Sequence, residues 1–161
     1  MFLLIDGIPG ESTDDNHKDW IEVVSYNYAI SQPEGGAASS AGRTGAGQAQ
    51  QQDCKIVKYL DKSSPKLALY SCSGKRIKEV TLELCRASGD KQKFMEYKME
   101  DVLISSVNVS GSVAGSETIP VEEISLEYAK ISWTYTEFDN TTGKPIGNVQ
   151  SNWDLTAGKG G

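Results

Sequence analysis

The sequence predicts a mainly β fold: a small β-barrel of two packed antiparallel sheets, with one short α-helix and a long extended loop. Three observations predict it. Apolar and polar residues alternate with period two over most of the chain. Clusters of Gly, Asn, Asp and Ser break these runs at turn positions. One stretch alone carries the start and stop signals of a helix. With 161 residues, 38% of them hydrophobic, the chain can bury one core, so residues 1–161 are read as a single domain.

The elements follow in order. Met1 to Ile5 is an apolar run ending at Asp6 and reads as a first strand. Trp20 to Ser31 puts Val24, Tyr26, Tyr28 and Ile30 on one face and Ser25, Asn27, Ala29 and Ser31 on the other. As one strand it would extend roughly 40 Å at about 3.3 Å per residue. Cys54 to Leu60 is a shorter strand. Ser64 can cap a helix, Pro65 fits its first position, and Gly74 ends it, with Leu67 and Tyr70 on one face. Val80, Leu82 and Leu84 point inward from the next strand, with Thr81 and Glu83 outward. A turn at Ser88 to Lys91 makes it a hairpin with Lys93 to Val109.

In that returning arm Met95, Tyr97 and Met99 share one parity, whereas Val102 and Ile104 share the other, which predicts a β-bulge near Asp101. The same slip separates Ile124, Leu126 and Tyr128 from Ile131, Trp133 and Tyr135, and predicts a bend near Ala129 or Lys130. Asp139 to Gly143 is a turn, and Val149 to Leu155 pairs back as the last strand.

Residues 33–52 interrupt this pattern. They are rich in Gly, Ala, Ser and Gln, carry Arg43 at their centre and lack a large apolar side chain. A loop of that length is uncommon in a compact domain unless it is disordered or functional. The small side chains suit close backbone approach to another subunit.

Composition excludes several classes. A formal net charge of −6 without a basic cluster argues against nucleic-acid binding. No apolar run approaches the roughly 20 residues of a membrane-spanning helix. The first residues lack the basic and apolar regions of a cleavable signal peptide, so export, if it occurs, is expected to bypass one. The three cysteines, Cys54, Cys72 and Cys85, form no zinc pattern. They read as reduced thiols, at least one serving as a small core residue.

Nothing in the sequence builds a catalytic centre. Glu11, Asp14, Asp15, His17 and Asp19 match neither an EF-hand nor a zinc motif, and read as a polar loop turned by Ser12 or Asp14. His17 is the single histidine, and no G-x-S-x-G elbow is present. Glu122–Glu123 and Glu100–Asp101, adjacent pairs on strands, read as solvated edge or interface charges. No catalytic residue, metal ligand or cofactor is expected.

Four blocks carry a resemblance: residues 10–23 (GESTDDNHKDWIEV), 58–75 (KYLDKSSPKLALYSCSGK), 79–107 (EVTLELCRASGDKQKFMEYKMEDVLISSV) and 123–155 (EISLEYAKISWTYTEFDNTTGKPIGNVQSNWDL). In this order they resemble the Hcp family, the tube protein of bacterial type VI secretion systems, across nearly the whole chain. The resemblance implies a structural subunit, not an enzyme, that forms hexameric rings. Such rings stack into a tube inside a contractile sheath, behind a VgrG-type spike. It also implies that small effector proteins are carried in the lumen, and that the protein leaves the bacterial cytoplasm through this apparatus. The family's lumen residue, a small side chain flanked by aromatics, falls on Asn27, with Ser25 and Ser31 as same-face neighbours. Its extended loop falls on 33–52, making Arg43, Gln48, Gln50, Gln51 and Gln52 candidates for ring contacts and stacking. A phage-like tail-tube protein and a monomeric small-ligand-binding β-barrel remain as alternatives.

Overall fold

The computed structural model describes residues 1–32, 49–86, 91–111 and 119–161. The strands and helix, in chain order, are β1 (Phe2–Ile5), β2 (Ile21–Glu22), β3 (Ser25–Asn27), β4 (Ile30–Ser31), β5 (Gln50–Gln51), β6 (Cys54–Tyr59) and α1 (Ser64–Ser73). There follow β7 (Ile77–Cys85), β8 (Lys93–Ser110), β9 (Val121–Glu127), β10 (Lys130–Phe138), β11 (Pro145–Asp154) and β12 (Lys159–Gly160).

Two antiparallel sheets share β8. Its first half lies between β7 and β10, inside the order β12-β11-β10-β8-β7-β1-β2. Its second half pairs with β9, which continues through β6 to β3. The changeover falls at Asp101, whose φ of 53° lies in the left-handed region. The parity slip of the sequence is therefore real, but it is a kink rather than a register bulge: the β7 pairing runs through it from Glu79↔Glu100 to Ile77↔Val102 in step. The register shift within the β8–β9 ladder lies between Ile104 and Ser106. Arg76 donates to the Asp101 carbonyl at 3.0 Å and faces its carboxylate at 3.3 Å, which holds the kinked backbone. The second expected bend is also present, because β9 ends at Glu127 and β10 starts at Lys130.

Alternation along these strands builds one core. Leu3, Ile21, Val80, Leu82 and Met99 from the first sheet meet Ile56, Ile124 and Leu126 from the second, all with no measurable exposure. Leu67 and Tyr70 dock α1 onto this core, as a helix this short requires. Gly74 closes the helix at φ 62°, where its N–H bonds to the Ser71 carbonyl. The N-cap is Ser63 rather than Ser64 and makes no side-chain cap bond. Asp61 instead accepts from the Ser63 N–H at 2.8 Å, while Ser64 donates its hydroxyl to Glu122 at 2.6 Å.

Trp20 to Ser31 is not one strand. It breaks into β2, β3 and β4 because the chain leaves β1 and joins β6 near Val24, whose N–H bonds to Val57 at 2.8 Å. Ile21 and Val23 are buried before the crossing, and Tyr26 and Tyr28 are half-buried after it, so the inward parity changes. Val24 and Ile30 are exposed. The closing strand begins earlier than expected, at Pro145, and is followed by β12. The turn before it is as expected: Asp139 Oδ1 accepts from the N–H groups of Thr141 and Thr142, which holds its carboxyl below the usual carboxylate range. The β7–β8 hairpin pairs as expected, although residues 87–90 of its turn lie outside the described residues.

Glu122 is the clearest departure from a solvated strand charge. It is 1% exposed and bonds at 2.6 Å to Lys58, which is fully buried. Lys58 also donates to the Tyr59 carbonyl at 2.7 Å and to Asp61 at 2.8 Å, so every ammonium proton has an acceptor. Removing one member of such a pair leaves a buried charge uncompensated. Lys58→Met should cost about 3–5 kcal/mol in urea unfolding. The double variant Lys58→Met/Glu122→Leu should recover most of that loss.

Candidate functional site

The outer face of the β3–β6–β9 sheet is polar. Cross-strand pairing aligns Asn27 with Lys55, Ser125 and Ser106 in one row, and Ser25 with Val57, Glu123 and Asn108 in the next. Paired residues share a face, so Asn27 and Ser25 point the same way. Both are exposed. Lys55 and Glu123 face each other at 3.6 Å, and Ser106 donates to Ser125 at 2.9 Å.

The opposite face of the same strands is aromatic. Tyr26 and Tyr28 pack on Tyr97 with ring centroids 5.7 and 5.9 Å apart, and Tyr28 also approaches Tyr128 and Trp133 at 6.4 and 6.5 Å. These tilted contacts favour a fixed arrangement. Burial pushes the hydroxyls of Tyr28, Tyr97 and Tyr128 above the usual phenol range, keeping them neutral. Asn27 is thus held by the two tyrosines behind it, on a stiff wall.

Ser31 is also exposed but stands apart. It belongs to β4, which pairs with β5 through Ile30↔Gln51 and Ser31↔Gln50. That ribbon is the base of the extended loop. Gln52 anchors it, with its N–H on the Ala29 carbonyl at 3.0 Å and its carbonyl accepting from Tyr128 at 3.3 Å. Gln50, Gln51 and Gln52 are therefore brought together at the root of the loop. Arg43 and Gln48 lie outside the described residues.

A second surface is apolar. Tyr135 on β10 and Val149 on β11 are 43% and 65% exposed. Register puts Tyr135 directly opposite Val149. At the other end of this ladder, a groove of about 650 Å³ is lined by Lys98, Lys130, Lys159, Glu100, Asp154 and Trp153. Ile131 and Trp153 add apolar surface to this charged lining.

The loop before β2, expected as a polar loop turned by Ser12 or Asp14, forms a third cluster by joining Glu83 and Cys85. Gly10 lies so close to Trp20 that a Cβ would sit 2.3 Å from its carbonyl oxygen, which closes the loop on itself. His17 is then buried, its ring stacked on Phe2 at 4.1 Å and met edge-on by Trp20 at 4.9 Å. Nδ1 lies 2.8 Å from Asp14, and Nε2 lies 2.8 Å from Glu83 and 3.8 Å from the Cys85 thiol. Hydrogen bonds from Lys91 and His17 hold the Asp14 carboxyl well below its usual range. Burial acts to raise Glu83, but His17 and Lys93 outweigh it and hold that carboxyl low. Glu83 was expected to face solvent; this loop covers it. No local signal in the sequence joins Asp14 and His17 to Glu83 and Cys85, because they come together only when β1 and β7 pair.

The three thiols differ accordingly. Cys54 is buried and pushed up to about 12 by desolvation. Cys72 is exposed on α1, and Cys85 is intermediate, raised by burial and by Glu83. In a timed thiol-reagent assay on native protein, Cys72 should react first, Cys85 more slowly, and Cys54 only on unfolding.

Comparisons with known proteins place the whole arrangement in one class, the exported structural proteins of type VI secretion. Residues 2–135 match the family model described as "Type VI secretion system effector, Hcp". The chain is 32% identical to Protein hcp1 of Pseudomonas aeruginosa over 96% of its own length and 94% of that protein's. Among solved structures, a type six secretion system protein superposes with a TM-score of 0.88 at 32% identity, covering 99% of this chain and 98% of that one. Hcp1 from Salmonella typhimurium superposes with a TM-score of 0.80 at 30% identity, covering 99% and 96%. The chain belongs to the Hcp family of type VI secretion proteins.

Proposed function

We propose that this chain is the tube subunit of a type VI secretion system. Six copies close into a ring, and rings stack into a tube within a contractile sheath, behind a VgrG-type spike. The subunit is made in the bacterial cytoplasm and exported by this machinery. Small effector proteins ride in the lumen. The protein acts by assembly and carriage rather than by catalysis.

The observation that carries this reading is the pairing of two unlike exposed faces on one stiff scaffold. The polar wall bearing Ser25 and Asn27 suits a wetted lumen, where cargo is held by side-chain hydrogen bonds and then released. The exposed apolar residues of β10 and β11 suit a permanent neighbour, since obligate interfaces are more apolar than transient ones. A ring repeats one heterologous contact until rotation closes it. Ser31 and the glutamines at the loop root fit the rim of the ring, where Arg43 and Gln48 would extend contacts to the next ring.

Light scattering on purified protein tests this reading. The wild type should have the mass of six subunits, and Val149→Glu should reduce it toward one while leaving the circular dichroism spectrum unchanged. Asn27→Arg should keep the ring mass but lose co-purifying effector. A wild type that stays monomeric at micromolar concentration would sink the proposal.

A further inference from the structure

We propose that His17, Glu83 and Cys85 form a zinc site, independent of ring assembly. Their ligand atoms lie within 4.8 Å of one another. Glu83 and Cys85 are two apart on β7, so the strand's own period presents both from one face. His17 arrives from the loop and is clamped between Phe2 and Trp20, so the imidazole is oriented before any ion binds.

The donor set chooses the metal. A thiolate, an imidazole and a carboxylate together suit zinc, whereas magnesium and calcium prefer oxygen alone. With zinc–ligand bonds of about 2.0–2.3 Å, tetrahedral donors stand roughly 3.3–3.6 Å apart. Nε2 and the Cys85 sulfur are already at 3.8 Å. Nε2 and Glu83 are at 2.8 Å, a hydrogen-bond distance, and would have to part by about half an ångström to admit the ion.

The surroundings supply the remaining parts. Asp14 on Nδ1 gives the carboxylate–histidine–metal arrangement that orients the ring with Nε2 as the ligating nitrogen. Lys93 holds the other oxygen of Glu83 at 3.0 Å, leaving one oxygen for the metal. Binding would displace the proton shared between Nε2 and Glu83 and the Cys85 thiol proton, and water would fill the fourth position. Two anionic ligands then neutralise the ion.

Cobalt(II) serves as a visible substitute for zinc. Titrated into the apo protein, it should give a thiolate-to-cobalt charge-transfer band that saturates at one equivalent and is displaced by zinc. The band should vanish in Cys85→Ala and persist in Cys72→Ala. Glu83→Gln should weaken binding at least tenfold, and Asp14→Asn should weaken it roughly 10- to 100-fold with the band retained. Circular dichroism of each variant checks folding. No band in the wild type, a band that survives Cys85→Ala, or one that follows Cys72 would overturn the site.

Discussion

One strand carries the architecture. β8 is the only element hydrogen-bonded into both sheets among the described residues, and its two halves face different partners on either side of Asp101. A flat strand of that length could serve only one sheet, because side-chain period two would keep the same parity inward throughout. The left-handed residue at Asp101 exchanges the parity, so that Met99 before it and Val102 and Ile104 after it all reach the core. β9 and β10 repeat the manoeuvre beside it. The outer face of the second sheet becomes the polar wall, and the first sheet is left to present β10 and β11.

Polar groups inside this frame act as fixed points. The Lys58–Glu122 pair ties β6 to β9 and, through Asp61 and Ser64, sets where α1 begins. His17 ties the first loop to β7. Buried ion pairs add little net stability compared with apolar packing, but mispairing them is costly. Their effect here is to make one register of β6 against β9, and one seat for the loop, better than the alternatives.

Much of the fold was legible in the sequence. An apolar run located β1, alternation located β7 and β8, and the parity slips located both bends, because a core accepts only one face of each strand. The break between Trp20 and Ser31 was not legible. Val23 and Val24 are adjacent and alike, and only the change of partner from β1 to β6 decides which turns inward. Glu122 was hidden for a similar reason, since a buried acid with a buried partner has the same local pattern as a surface one. Of the candidate site, the facing of Ser25 and Asn27 followed from period two alone. The separation of Ser31 from them depended on the same unseen break. His17 and Glu83 lie 66 residues apart, and no spacing rule joins such a pair before the sheet is built.

Native-state hydrogen exchange along β8 tests the central claim most directly, since local openings report which segments unfold together. If one kinked strand unites the sheets, hydrogen-bonded amides on both sides of Asp101 should exchange only through a shared global opening, with the same denaturant dependence. If amides beyond Asp101 exchange together with those of β9 and β6 at a much lower opening free energy, the two sheets are separate units and the account is wrong.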